Sequence, residues 1–162
     1  MRHSDIQTQS YCFVNYCNMT EKENEKIWNI RNNTLISVWM INNKWITHSE
    51  HDMFINSLRS KMSKDYFLIK NFDGNIIGSV NFTYLNDGIV ERGIFINPKF
   101  WGKNHAYLSL SELYSYINKH WSIKRIITQV KVDNAASNAL ERKLGGQIFK
   151  SEDGYNYYIV NL

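Results

Sequence analysis

The stretch from Val90 to Phe149 constrains the fold more than any other part of this 162-residue chain. The apolar run Val90-Glu91-Arg92-Gly93-Ile94-Phe95-Ile96, stopped by Asn97-Pro98, reads as a strand. A turn follows, Phe100-Trp101-Gly102-Lys103-Asn104-His105-Ala106. It opens directly into a long helix with Ala106, Leu110, Leu113 and Ile117 on its buried face. Arg125 to Val132 alternates as a strand, and Asn134 caps a further helix that ends at Gly145-Gly146. Strand, turn, helix, strand and helix in that order require a sheet with helical crossovers.

The rest of the chain adds hairpins to that unit. Tyr11 to Cys17 reads as a first strand. Thr20-Glu21-Lys22-Glu23 and Thr47-His48-Ser49-Glu50 both have capping-box spacing. They predict helices running to about Arg31 and about Lys61, the second with His51, Phe54, Ile55 and Leu58 on one face. Tyr66–Lys70 and Asn75–Tyr84 form a hairpin about Asp73-Gly74, and Asn86-Asp87-Gly88 turns into the next strand. Asp153-Gly154 turns into a final strand, Tyr155 to Leu162. The predicted order is β-α-α-β-β-β-α-β-α-β-β in one domain, residues 1–162. The fold class is α/β, a mixed and mostly antiparallel sheet flanked by helices.

A hydrophobic fraction of 43% can build a core, and 14% aromatic residues exceed what packing alone asks for. The net charge of +4 is spread along the chain. It suits small anionic ligands and lacks the dense basic cluster of a nucleic-acid binder. Cys12 and Cys17 have no partner at metal-ligand spacing, so no metal is expected. No apolar run is long enough to span a membrane, and Met1 to Ser10 is polar, so a cytoplasmic chain is expected.

The turn and the later helix together resemble the acyl-CoA-binding core of the GNAT acetyltransferase superfamily, and the element order matches over nearly the whole chain. The superfamily turn is Gln/Arg-x-x-Gly-x-Gly/Ala. Here Trp101 stands at the first position, Asn104 at the second and Ala106 at the third. Asn is the non-glycine residue best suited to a left-handed backbone. Leu140, Lys143, Leu144 and Gly145 match the superfamily ending Leu-x-x-Lys-Leu-Gly, with Gly146 in place of the usual Phe. The resemblance implies acetyl-CoA as acyl donor. The backbone of Trp101, Gly102, Lys103, Asn104, His105 and Ala106 would cradle its pyrophosphate at a helix N-terminus. Asn134 and Ser137 would contact the pantetheine arm, and the main chain of Ile94, Phe95 and Ile96 would pair with its amides.

The N-terminal half resembles a narrower group. Trp28-Asn29-Ile30-Arg31-Asn32 is similar to a signature shared by acetyltransferases of ribosomal-protein N-termini and by the nucleotide-sugar N-acetyltransferases of pseudaminic acid biosynthesis. Val38-Trp39-Met40, Trp45-Ile46-Thr47, and His51 with Phe54-Ile55 favour the second branch. It implies a nucleotide-linked 4-amino-4,6-dideoxy sugar as acceptor. Arg31 and His51 would supply donors to a diphosphate, and Trp39, Met40 and Trp45 flat apolar walls. Asn32 and Asn81 join the expected substrate-binding set. Other acceptors in view are a protein N-terminus or a small amine, and a non-catalytic acyl-CoA-binding module is the third reading.

For catalysis the resemblance implies direct attack of a neutral amine on the thioester. Glu91 is the candidate base, and a backbone N–H near Phe95 or Ile96 the oxyanion donor. The superfamily usually places Tyr where Glu141 stands. Glu141 is therefore a leaving-group acid only if burial keeps it protonated, and Tyr84, Tyr107 or solvent are the alternatives. The final strand leaves room for pairing in a homodimer.

Overall fold

Cap and turn chemistry sets the element boundaries in the computed structural model, which describes residues 4–86 and 88–162. Helix α1 (Glu21–Arg31) starts at a full capping box: Thr20 accepts from the Glu23 amide, and the Glu23 side chain accepts from the Thr20 amide. A short α2 (Thr34–Ser37) follows, capped by Asn33. Four residues are too few for a periodic signal, and α2 was not expected. Helix α3 (His48–Leu58) starts at the Thr47–Glu50 capping box. It stops at Leu58 and not near Lys61. Arg59, Ser60 and Lys61 are exposed, so a further turn would bury nothing.

The strands are β1 (Ile6–Gln7), β2 (Tyr11–Asn15), β3 (Lys64–Asn71), β4 (Ile76–Asn86), β5 (Ile89–Ile96), β6 (Arg125–Lys131), β7 (Gln147–Glu152) and β8 (Tyr155–Asn161). Two longer-range helices, α4 (His105–His120) and α5 (Ala135–Lys143), lie before and after β6. The sheet order is β1-β2-β3-β4-β5-β6-β8-β7. Every neighbouring pair is antiparallel except β5 with β6. This is the mixed, mostly antiparallel α/β sheet the sequence predicts, with the two-residue β1 added at one edge. Strand β2 ends at Asn15 and not at Cys17, because the Asn15 side chain accepts from the Cys17 amide and turns Tyr16–Asn18 into a 3-10 helix. Asp87, at the centre of the turn expected before β5, lies outside the described residues.

The alternation of each strand separates two apolar layers. On one face Phe67, Ile69, Val80, Phe82, Val90 and Ile126 pack under Leu110, Leu113 and Ile117 of α4, with Leu140 and Leu144 of α5 at the margin. On the other, Leu68 with Tyr66 and Phe95 packs against Ile27 of α1 and Ile55 and Leu58 of α3. Among the described residues no helix is long and apolar enough to cross a membrane.

One glycine is required by a close approach. Gly78 lies beside the bulge between Ile69 and Lys70, and an added Cβ would collide with the Phe95 carbonyl oxygen on β5. Gly78→Ala is expected to cost about 1–3 kcal/mol, as overpacking does, read as a lower Tm in thermal melts. An unchanged Tm would mean that β5 moves aside freely.

Candidate functional site

Strands β5 and β6 pair only at Ile89–Arg125, Val90–Ile126 and Glu91–Ile127. Beyond Glu91 both continue without pairing, β5 to Ile96 and β6 to Lys131, so the sheet opens into a cleft. Which main-chain groups face that cleft follows from the β4–β5 register. The Asn97 amide donates to the Ile77 carbonyl at 2.8 Å. Hydrogen-bonded and non-hydrogen-bonded pairs alternate in an antiparallel ladder, so Ser79–Phe95 is a hydrogen-bonded pair and Gly78–Ile96 is not. The N–H and C=O of Phe95 therefore point into the sheet. Those of Ile94 and Ile96 point toward the cleft. This corrects the expectation for Phe95: its amide is spent on β4 and cannot meet a cofactor or an oxyanion, whereas the Ile96 amide can. The Ile96 carbonyl already accepts from the Trp101 indole Nε1 at 2.8 Å. Trp101 thus holds the strand end in place with its side chain.

The turn after β5 has the left-handed backbone and free helix-start amides that an anion cradle needs. Gly102 has φ 72° and Asn104 φ 62°, ψ 11°, a left-handed residue at the N-cap of α4. The Asn104 side chain does not cap the helix. The first-turn amides of His105, Ala106 and Tyr107 have no intrahelical acceptor and sit at the positive end of a sixteen-residue helix. Asn104 Oδ1 instead accepts from Lys143 Nζ at 3.0 Å, and that ammonium lies 4.1 Å from the Tyr107 ring centroid. Lys103 lies over Phe100. The cradle therefore carries two lysines, of which only Lys103 was expected there. Lys143 was visible in the sequence as part of the Leu-x-x-Lys-Leu-Gly ending. The His105 side chain turns away to a 2.8 Å hydrogen bond with the Tyr11 hydroxyl on β2. Its contribution to the cradle is the backbone amide.

On the far side of the cleft Asn134 caps α5, its Oδ1 accepting from the Ser137 amide at 3.1 Å. That leaves the Asn134 Nδ2 as a donor. The helix ends in a Schellman arrangement: Gly146 N–H donates to the Glu141 carbonyl and Gly145 N–H, at φ 82°, to that of Arg142. An added Cβ at Gly146 would come within 2.8 Å of the Glu141 carbonyl oxygen.

Two expected acids are placed elsewhere. Glu141 is buried and both its oxygens accept from Arg92 Nη2, at 2.5 and 2.7 Å. That is a carboxylate with its counter-ion, which corrects the protonated-acid role. Tyr84 packs with Val90 in the layer under α4, the opposite face from Glu91, and its hydroxyl donates to Asp65 at 2.9 Å. Burial and then Asp65 push the Tyr84 phenol above its ordinary value.

The α1–α3 face of the parting strands carries Glu91, Gly93 and Phe95. In register beside them are Thr83, Asn81 and Ser79 on β4 and Lys64, Tyr66 and Leu68 on β3. The Asn81 side chain lies over Gly93, where a Cβ would come within 2.5 Å of its Oδ1. Tyr66 is held by Phe54 and Tyr16, with ring centroids at 4.9 and 5.5 Å. Burial, then the Glu91 charge, raises the Tyr66 phenol. Glu91, Asn81 and Tyr66 thus form the polar floor of a face that opens beside the cleft. Tyr66 was not singled out from the sequence, where it looks like any strand aromatic.

The acceptor-side residues resolve differently from expectation. Arg31 donates to the Lys44 and Asn42 carbonyls at 2.8 and 2.6 Å. Asn32 accepts from the Ile46 amide and donates to its carbonyl, which also takes the Trp28 indole N–H. The Trp-x-x-Arg-Asn signature is therefore a clamp on the loop after α2. This corrects the role of Asn32, whose buried amide is spent on the loop backbone, and gives Arg31 a structural role. His51 is buried, with Nε2 donating to Asn24 Oδ1 at 2.8 Å. Burial pushes it below its ordinary value, so it is a neutral packing histidine and no phosphate donor. The clamped loop presents Trp39 at 43% exposure and Trp45 at 66%, with Met40 half-buried. Lys131 Nζ, at the end of β6, donates to the Val38 carbonyl at 2.7 Å and joins this loop to the cleft. Asn32→Ala removes two loop bonds. At about 1 kcal/mol each, tryptic cleavage after Lys44 is expected to quicken by roughly tenfold or more, and an unchanged digestion rate would contradict the clamp.

Known proteins share this fold. The sequence pattern of the acetyltransferase (GNAT) domain matches residues 17–147. The acetyltransferase PseH of Campylobacter jejuni subsp. jejuni serotype O:23/36 (strain 81-176) is 27% identical over 145 residues, covering 90% of this chain and 89% of that one. The crystal structure of Campylobacter jejuni N-acetyltransferase PseH in complex with acetyl coenzyme A has a TM-score of 0.75 at 20% identity, covering 93% and 98% of the two chains. Spermidine N-acetyltransferase from Vibrio cholerae, in complex with CoA and spermine, has a TM-score of 0.77 at 18% identity, covering 88% and 92%. The structural likenesses concern the fold; the match over most of the sequence carries the assignment. The chain belongs to the acetyltransferase (GNAT) domain family.

Proposed function

We propose that this acetyltransferase transfers acetyl from acetyl-CoA to the amine of a nucleotide-linked 4-amino-4,6-dideoxy sugar. The observation that carries the acceptor class is the extent of the PseH similarity, which covers 90% of the chain, acceptor half included. The resemblance of Val38–Met40, Trp45–Thr47 and His51 with Phe54-Ile55 to the nucleotide-sugar branch supports it. So do the exposed indoles of Trp39 and Trp45, flat surfaces suited to a base and a deoxy sugar.

The residues present fit the donor. The amides of Gly102 to Ala106, with Lys103 and Lys143 beside them, form a cationic cradle for a pyrophosphate. The main chain of Ile94 and the N–H of Ile96 offer a strand edge unpaired by β6 to the pantetheine arm, and Asn134 Nδ2 a donor from the other wall. Bound acetyl-CoA supplies an activated acyl carbon, to which the new C–N bond forms as the C–S bond breaks. Glu91 takes the amine proton, directly or through one water. The Ile96 N–H is the donor placed for the carbonyl oxygen. Asn81 and Tyr66 orient the acceptor over Gly93. Neither Glu141 nor Tyr84 is placed to protonate the leaving thiolate, and solvent fills that role.

Asn134→Ala keeps the cradle and removes one donor. It is expected to weaken acetyl-CoA binding by about tenfold, the value of one good hydrogen bond, in calorimetric titration; unaltered affinity would confine Asn134 to its capping role. The function itself is tested by incubating the protein with acetyl-CoA and a UDP-4-amino-4,6-dideoxyhexose and identifying the product by mass spectrometry. An amide on the sugar nitrogen supports the proposal. An unmodified sugar beside measurable acetyl-CoA binding refutes this acceptor and leaves the cofactor assignment standing.

A further inference from the structure

Three polar side chains, Arg92, Glu141 and Tyr114, are joined to one another inside the layer between the sheet and α4 with α5. The side chains of Arg92 and Glu141 are each 2% exposed, and Arg92 Nε donates to the Tyr114 hydroxyl at 3.1 Å. Their position is specific. Arg92 is the first residue of β5 beyond the last parallel pair, Glu91–Ile127. Glu141 belongs to the helix that Asn134 caps, and Tyr114 to the helix whose first turn is the cradle. Across the fork Thr128 follows Ile127 on β6. It is buried, and its Oγ1 has no partner among the described residues.

Stability does not explain such a set. An ion pair taken out of water loses most of its advantage to desolvation, and apolar replacements of similar volume are often neutral or stabilising. What the set does geometrically is join β5, α4 and α5 at the point where the strands part. Each of these elements supplies one wall of the cleft: the Ile94 and Ile96 main chain, the cradle amides and Asn134. We propose that Arg92, Glu141 and Tyr114 form a positioning device that fixes the width of the cleft for acyl-CoA. All three are buried, so they act on the cofactor through the walls they hold. Loss of the set leaves the walls intact and misaligned, and a misplacement of about 1 Å is enough to weaken a many-point contact severely. This inference rests on reading the cleft as the acyl-CoA site.

The test is calorimetric titration with acetyl-CoA of the wild type, Arg92→Met/Glu141→Leu and Tyr114→Phe, with thermal melts in parallel. Wild-type binding reads the cofactor assignment, and the ratio of Kd values reads the inference. The double variant is expected to melt cooperatively and bind about tenfold more weakly. Tyr114→Phe, which keeps the ion pair and frees α4, is expected to bind about threefold more weakly. Kd values within about twofold of wild type in both folded variants would overturn the proposal, because a merely space-filling role moves the Tm and leaves the affinity of the folded protein alone. Should the double variant fail to fold, Tyr114→Phe decides by itself: threefold weaker binding supports the proposal, and unchanged binding overturns it.

Discussion

Glu91→Gln is expected to lower kcat by about 10²–10⁴-fold, the usual value of a positioned general base, with acetyl-CoA binding left unchanged. Glutamine keeps the shape of glutamate and its hydrogen-bonding oxygen, and loses only the capacity to take a proton. Glu91 occupies the last paired position before the strands part and faces the α1–α3 side, in register with Thr83. The acceptor amine must approach from that side, because the other face is filled by α4. A variant that keeps its rate would place the base elsewhere on this face, with Tyr66 the nearest alternative.

The second large effect is on stability. Glu141→Ala strips the buried Arg92 guanidinium of its counter-ion. Removing one partner of a buried pair costs about 3–5 kcal/mol, which for a chain of this length is a fall in Tm of roughly 6–20 °C. Burial alone would lower the Arg92 pKa; Tyr114 and Glu141 outweigh burial and raise it. A guanidinium is not deprotonated in proteins, so the orphaned Arg92 stays charged in an apolar layer, and pH within the ordinary range cannot relieve it. Arg92→Met/Glu141→Leu should recover most of the lost Tm. A wild-type melt for Glu141→Ala would show that water reaches Arg92 and that the pair is not sealed.

What could be read from the sequence was local or periodic. The two capping boxes start α1 and α3 where Thr20 and Thr47 predict, because all partners lie within three residues. Asn104 adopts the left-handed backbone foreseen for it, since that preference belongs to the residue itself. Gly145-Gly146 ends α5 for the same kind of reason.

The misread site residues depend on distant partners. Arg31 and Asn32 look like ligand donors until the loop from Asn42 to Ile46 folds back onto them. His51 looks unpaired on an apolar face until Asn24 of α1 meets it. Glu141 and Arg92 are far apart in sequence, and nothing local announces their union. Phe95 and Ile96 differ in role only through the β4–β5 register, which a single strand cannot state about itself. Strand β1 and helix α2 are shorter than any period that could reveal them.

The most direct measurement is the rate of free CoA thiol release from acetyl-CoA with three acceptors supplied in parallel: a UDP-4-amino-4,6-dideoxyhexose, spermine and a short peptide with a free N-terminus. The account predicts release that requires the amino sugar, saturates with it and falls steeply in Glu91→Gln. Release driven by spermine or the peptide and indifferent to the sugar would contradict it.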